Sequence, residues 1–347
     1  MRTKAFSFVA SVAALLAVGV VAIPQATATG ARPALGTGPA TIDPATVPGA
    51  YRMASGSWAV PLASAKPSWL TPELEAAAKN GKGKPTEAPP AAAAAIPGPP
   101  VDAPAAGYVG IRPGTWMVSP AGCTLNYVFG SPGTYSIGTA GHCAKGGTDI
   151  IVLTGAPPNQ DPCVPLSDIC FTTGTPVLVN IGTVAKSVDN GVGDDFAIIT
   201  VRPELQSWVY TTQAQVLGPC GKYAGDGTAP DVDLPDFNIF GLRGADPLEL
   251  GETIYHYGHG LAVGTGGTIR AGVATAWYAT SYYWAGGVLF GDSGSAARIH
   301  DLKAAGDVTH IVVPFLGSRT PGYNAGTRIA RMEQIARKPL ANSPYCI

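Results

Sequence analysis

Charge is scarce along this chain. Asp, Glu, Lys and Arg supply 13 % of the 347 residues and nearly cancel, leaving a net charge of −1. That removes the electrostatic case for nucleic acid or an anionic membrane surface as a main partner. Long apolar runs are scarcer still. Beyond Phe8–Ile23 no segment has the uninterrupted apolar length needed to cross a bilayer. No cluster of His, Cys, Asp and Glu has metal-ligand spacing, so neither a metal nor another cofactor is expected. Histidine is limited to five residues and cysteine to six, enough for three disulfides at most. No internal repeat stands out. Length alone would permit two domains, but composition argues that less of the chain is folded.

What is present begins with a basic start, Arg2 and Lys4, the apolar run to Ile23, and a small-x-small cleavage site at Ala26-Thr27-Ala28. Residues 1–28 therefore read as a secretory signal peptide, and the protein as secreted and extracellular. The apolar run is short for an uncleaved anchor and no basic stop-transfer cluster follows it. Export implies an oxidising compartment, where the cysteines pair. Cys123–Cys143 would clamp the loop that carries His142, Cys163–Cys170 would staple a local loop, and Cys220–Cys346 remains. Other pairings, or free buried thiols, stay open. Residues 29–106, rich in Ala, Pro, Gly and Thr, are expected to be a largely disordered propeptide or linker. One island stands out: Thr71 can cap a helix, Pro72 suits its first position and Gly81 its end. With few apolar residues, that helix cannot form a core of its own.

From Gly107 short runs rich in Val, Ile, Thr, Tyr and Phe alternate with Gly, Pro and Asp. Leu125–Phe129, Asp149–Leu153, Phe196–Val201, Thr253–Tyr257 and Thr309–Val313 are examples. Many short strands separated by turn signals predict an all-β sandwich or barrel. One helix closes the chain: Thr327 can cap it, Ile329, Met332, Ile335 and Ala336 share a face, and Pro339 ends it.

Two strings carry chemistry, Gly138-Thr139-Ala140-Gly141-His142-Cys143 and Gly291-Asp292-Ser293-Gly294-Ser295, with Gly193-Asp194-Asp195-Phe196-Ala197-Ile198 between them. A serine hydroxyl is a weak nucleophile and needs a base as it attacks an acyl carbon. An imidazole can take that proton and return it to the leaving group. A buried carboxylate must hold the imidazole in its tautomer, and backbone N–H groups must face the developing oxyanion. Ser295, His256, His259, His300 and His310 read as structural or exposed.

Thr139-Ala140-Gly141-His142-Cys143 and Gly291-Asp292-Ser293-Gly294 resemble the two signatures of the chymotrypsin family, in the form of its bacterial secreted branch, which includes the streptogrisins. The resemblance spans about residues 107–347. It implies a trypsin-like serine protease domain of two antiparallel six-stranded β-barrels, about 107–212 and 213–347, with a C-terminal helix. It further implies His142 as general base, Asp195 rather than Asp194 as orienting acid, Ser293 as nucleophile, and the N–H groups of Gly291 and Ser293 as oxyanion hole. Cys123 resembles the family's disulfide partner of the His loop. Asp292, next to the nucleophile, needs a basic partner; His259 is the first candidate and Arg270 the competitor. The family's layout puts the primary pocket at Gly286–Phe290, where Gly287, Val288 and Phe290 and the lack of any acid suggest apolar specificity. A preference for Glu would require a pocket histidine, for which His310 is near enough in sequence. The expected function is a secreted serine endopeptidase made as a zymogen, monomeric, acting on proteins or peptides without stable membrane association. An esterase using the same triad, a silent binding protein on this fold, or a wall-spanning structural protein are the rivals.

Overall fold

A computed structural model describes residues 43–89, 110–156, 176–211, 248–260, 268–299, 303–313 and 324–341. The signal peptide and the pairs Cys163–Cys170 and Cys220–Cys346 lie outside these residues, as does His300. Among the described residues, no helix is long and apolar enough to cross a membrane.

The first elements come from the segment upstream of Gly107: β1 (Tyr51–Arg52), β2 (Trp58–Pro61), α1 (Pro72–Asn80) and β3 (Thr86–Glu87). There follow β4 (Trp116–Ser119), β5 (Cys123–Thr124), β6 (Val128–Phe129), β7 (Ser136–Thr139), β8 (Asp149–Gly155), β9 (Pro176–Asp189) and β10 (Asp195–Val201). The last third supplies β11 (Thr253–Gly258), β12 (Thr268–Trp277), β13 (Ser281–Gly286), β14 (Ala296–Ile299), β15 (Ala304–Asp307), β16 (His310–Val313), β17 (Asn324–Thr327) and α2 (Ile329–Ala336). They form two curled antiparallel sheets. One runs β5-β4-β8-β9-β10-β7-β6 with β3 on β9; the other runs β1-β2-β16-β17-β13-β12-β11-β14-β15. Register slips at Ile150/Ile151, Ile198/Ile199 and Ala274/Ala276 mark β-bulges, which bend their strands and let the sheets curl.

The all-β reading holds, and the strands expected at 149–153, 196–201, 253–257 and 309–313 are present. Within Leu125–Phe129 only Val128–Phe129 is strand, as β6; Leu125–Tyr127 lies outside strand and separates it from β5. Each sheet has more than six strands, nine and eight among the described residues, and the upstream segment accounts for three of them.

That segment is the main correction. The expectation of a largely disordered 29–106 fails over 43–89. α1 forms as its sequence predicts, with Leu74 N–H donating to the Thr71 hydroxyl and Gly81 at its end. It needs no core of its own because it borrows one. Along β8, Ile150 and Val152 face the cluster of Met117, Val179 and Ile199, while Ile151 and Leu153 face the opposite way, into a cluster with Leu70, Ala78 and Leu178. The unbroken apolar run of β8 thus has two buried faces, and the upstream segment covers the second. Each Ile or Leu so buried contributes about 1.5–3 kcal/mol.

α2 covers Tyr127, Phe129, Phe196 and Ile198 with Ile329, Met332 and Ile335. Its cap is a second correction. The capping position belongs to Arg328, which makes no side-chain cap. Thr327 is the last residue of β17, and its hydroxyl is committed elsewhere. Arg337, in the left-handed conformation at φ 54°, ends the helix before Pro339 is reached.

Candidate active site

His142 sits in a single tight turn, Gly141–Cys143, directly after β7. Cys143 is disulfide-bonded to Cys123 of β5, so the turn is anchored to the strand beside it. Asp195 opens β10, which pairs with β7, and this pairing carries its carboxylate to the His turn. Asp195 Oδ2 lies 2.6 Å from His142 Nδ1, and Oδ1 accepts from the His142 backbone N–H at 2.9 Å. With the proton on Nδ1, Nε2 is free to accept from the hydroxyl of Ser293, 2.5 Å away. The three residues expected from separate motifs are thus one hydrogen-bonded chain. Asp194 is excluded from it: its carboxylate takes Arg331 and Asn190 on the outer side.

Asp195 and Ser293 are fully buried. Burial alone would lower the His142 pKa, but the charge of Asp195 and its hydrogen bond outweigh that and raise it. Burial alone would raise Asp195; His142 and His310 outweigh it, and the carboxyl is held below its ordinary value. Two further side chains position the acid, and neither has a motif of its own. Thr327 Oγ1 accepts from the Asp195 N–H at 3.2 Å and donates to its carbonyl at 3.0 Å. His310 places Nδ1 3.6 Å from Asp195 Oδ2, and burial lowers its pKa to about 4, which keeps it neutral at pH 7. His142, Asp195 and His310 bring ligand-type atoms within 4.8 Å of one another. His310 thus packs beside the carboxylate, with its Nδ1 2.9 Å from Thr309 Oγ1.

The nucleophile loop requires glycine at two points. Gly291 has φ +106°, and a Cβ there would lie 2.5 Å from the His259 carbonyl; Gly294 has φ +87°, and its Cβ would lie 2.3 Å from the Thr124 carbonyl. Thr124 fastens the loop from below, its N–H donating to the Ser293 carbonyl at 2.8 Å and its hydroxyl to that of Gly291 at 2.9 Å.

Between these glycines Asp292 is fully buried, and its partner is Arg270, the competitor, not His259. Arg270 Nη1 lies 2.7 and 2.6 Å from the two carboxylate oxygens, and the N–H groups of Gly260 and Leu289 donate at 2.7 Å each. The His259 ring turns away, with Nε2 2.7 Å from the Gly114 carbonyl and its face stacked on Trp116. Burial holds its pKa at about 4, so it supplies no charge. Ser295 lies 3.3 Å from His256, whose other nitrogen is 3.0 Å from the Gly287 carbonyl.

Of the residues expected to line the primary pocket, Gly287 is exposed and Phe290 half-buried. Val288 and Ile311 pack against an apolar cluster that contains Leu62, from upstream of the expected domain. Leu62 is fully buried, and the Gly291 N–H donates to its carbonyl at 2.5 Å. Trp58-Ala59-Val60-Pro61-Leu62 is an apolar run that composition hid inside a Pro- and Ala-rich stretch.

No family model and no curated protein matches the chain. Among solved structures it is similar to Thermobifida fusca protease A, at 16 % identity and TM-score 0.38 over 67 % of this chain and 98 % of that one. Cellulomonas bogoriensis chymotrypsin matches at 16 % and 0.36 over 67 % and 98 %. A glutamic-acid-specific serine protease matches at 14 % and 0.39 over 67 % and 100 %.

Proposed function

We propose that the chain is a secreted serine endopeptidase that cleaves peptide bonds through an acyl-enzyme. The observation that carries this reading is the chain of short contacts from Ser293 Oγ through His142 to Asp195, with a Gly291 N–H aimed at a carbonyl oxygen beside the nucleophile. In this reading Ser293 attacks the substrate carbonyl as His142 Nε2 takes its proton. Asp195 stabilises the resulting imidazolium, and the N–H groups of Gly291 and Ser293 face the oxyanion, each donor contributing roughly 3–4 kcal/mol. His142 returns the proton to the leaving amine, and water repeats the sequence on the ester. Arg270 acts through Asp292 to hold the Gly291–Ser293 turn, and Thr327 acts through Asp195; both are positioning residues.

The primary pocket formed by Gly287, Val288 and Phe290 takes an apolar side chain. The absence of acid in Gly286–Phe290 and the contact of Val288 with an apolar cluster support this. A Glu preference loses its candidate, because His310 faces Asp195. Export is supported by the N-terminal pattern and by the Cys123–Cys143 disulfide.

A fluorophosphonate probe is expected to label Ser293 in protein freed of residues 1–62, and Ser293→Ala to abolish both labelling and casein hydrolysis. Undiminished hydrolysis by pure Ser293→Ala protein would overturn the assignment.

A further inference from the structure

The nucleophile is fully buried, and a segment of the same chain covers it. β2 pairs antiparallel with β16, Trp58 opposite Val313 through Pro61 opposite His310. The next residue continues the ladder: the Leu62 N–H donates to the Thr309 carbonyl at 3.0 Å, and its carbonyl accepts from Gly291 at 2.5 Å. Thr309 is also 3.2 Å from Ser293 Oγ through that same carbonyl, so the Leu62 carbonyl is held beside the nucleophile. Beyond Ala63 the chain is gripped again. Ser64 exchanges two backbone hydrogen bonds with Gly122, at 2.8 and 2.9 Å, one residue before the disulfide that anchors the His142 turn. The Leu62 side chain is buried in the cluster that Val288 and Ile311 pack against. One extended segment is therefore bound on both sides of a single peptide bond. That bond lies where the two grips meet, next to Ser293 and the Gly291 N–H.

We infer that the chain is its own first substrate: Ser293 cleaves the Leu62–Ala63 bond in cis, and residues 58–62 close the cleft to other peptides until they leave. This rests on the serine endopeptidase reading above. Ser293 Oγ adds to the Leu62 carbonyl carbon as His142 takes its proton. The C–N bond breaks, Ala63 leaves as an amine carrying the proton from His142, and Leu62 remains as an ester on Ser293. Water, deprotonated by His142, releases Leu62 as a carboxylate and restores the serine. The net change is one water consumed, with one carboxylate and one ammonium formed. The docked sequence also names the substrate class: peptides with leucine or a similar aliphatic residue before the cut and a small residue after it. The new N-terminus at Ala63 stays with the enzyme, because Ser64 is paired with Gly122 and α1 is packed on β8 and β9.

The test uses the full chain, as wild type and as Ser293→Ala, Ala63→Pro and Leu62→Asp variants, read by intact mass and N-terminal sequencing. The wild type is expected to yield a chain beginning at Ala63 and a fragment ending at Leu62, with a fractional rate unchanged on serial dilution. Ser293→Ala abolishes the cut. Ala63→Pro does too, because its ring crowds the nitrogen that His142 must protonate. Leu62→Asp unseats the segment, so that a fluorophosphonate labels Ser293 without prior cleavage. Gly122→Ala loosens the grip on Ser64 and so on the segment should that variant not fold, since a Cβ there would lie 2.8 Å from the Ala65 backbone carbonyl as well as 2.0 Å from Ser64 Oγ. If the wild type stays intact at Leu62–Ala63 while an unseated variant labels and hydrolyses an added peptide, the self-cleavage inference is overturned and the protease reading stands. If no unseated, folded variant labels or hydrolyses peptide, both fall. A cut at Ala63 that persists in Ser293→Ala, or a fractional rate that rises with protein concentration, overturns cleavage in cis.

Discussion

Arg270→Met is the substitution whose cost the structure fixes best. Asp292 is fully buried, and Arg270 is the cation against its carboxylate. Removing one member of a buried ion pair costs about 3–5 kcal/mol, because the other charge stays buried without its partner. Here the low end applies, since the N–H groups of Gly260 and Leu289 still donate to Asp292. A loss of about 3 kcal/mol would lower Tm by roughly 6–12 °C. Activity of the folded protein should fall as well, because Asp292 sits between Gly291 and Ser293; a displacement of about 1 Å there costs about a hundredfold in kcat/KM. Among the described residues Arg270 reaches both carboxylate oxygens through Nη1 alone, and its Nη2 has no hydrogen-bond partner. A lysine ammonium can reproduce that single-nitrogen contact, so Arg270→Lys should stay within about 1 kcal/mol of wild type, unlike a site that uses the whole guanidinium fork. Asp292→Asn added to Arg270→Met should recover part of the loss, since the unpaired charge is then gone. Differential scanning calorimetry and steady-state kinetics on a chromogenic peptide read both effects. An Arg270→Met protein melting within about 2 °C of wild type, or a lysine variant as damaged as the methionine one, would refute the ion-pair reasoning.

Thr327→Val removes two hydrogen bonds to the Asp195 backbone and should cost about 1–3 kcal/mol, with kcat lowered, KM little changed and Thr327→Ser largely restoring the rate. The His142 pKa is raised, so kcat/KM should rise with pH through an apparent value above 6.5, where the imidazolium loses its proton and becomes a base. For stability the sign is opposite: protonated His142 stabilises the fold fully below its ordinary value, and that contribution is lost as pH rises through the raised one. A pH–rate profile with its acid limb below 6.5, or one that Asp195→Asn leaves in place, would contradict the coupling. Replacing Cys123 and Cys143 together by Ala opens a loop of sequence separation 20; chain entropy sets the loss at about 3 kcal/mol, measurable by urea denaturation.

The legible parts of this protein are those whose physics is local. Gly141-His142-Cys143 and Gly291-Asp292-Ser293-Gly294 demand tight turns, and their residue types announce it. Asp195 begins a strand whose apolar run is self-evident, and Thr71, Pro72 and Gly81 mark a helix without any tertiary help. The illegible parts borrow their stability from distant residues. β2 is four residues long with a proline, and its strand identity comes from hydrogen bonds to β16, about 250 positions away. α1 offers little more than Leu74 and Ala78 to a core and relies on Ile151, Leu153 and Leu178. Thr327 reads as a helix cap because a hydroxyl before an amphipathic run usually is one, yet its strand places it against Asp195 first. His259 and Arg270 could not be separated without register: β12 pairs Arg270 with His256, and only that alignment directs the guanidinium to Asp292.

The strand that crosses the nucleophile also sets a competition. A tethered segment meets its site at an effective concentration on the order of millimolar or above, whatever the concentration of the protein. A free peptide of equal intrinsic affinity, present at about 1 μM, would then hold the cleft roughly one-thousandth as often. Whatever peptide this protein is to act on therefore meets an occupied seat. The timing of activity is governed by the detachment of Trp58–Leu62 from β16, a property of one β-ladder, before it is governed by the nucleophile itself.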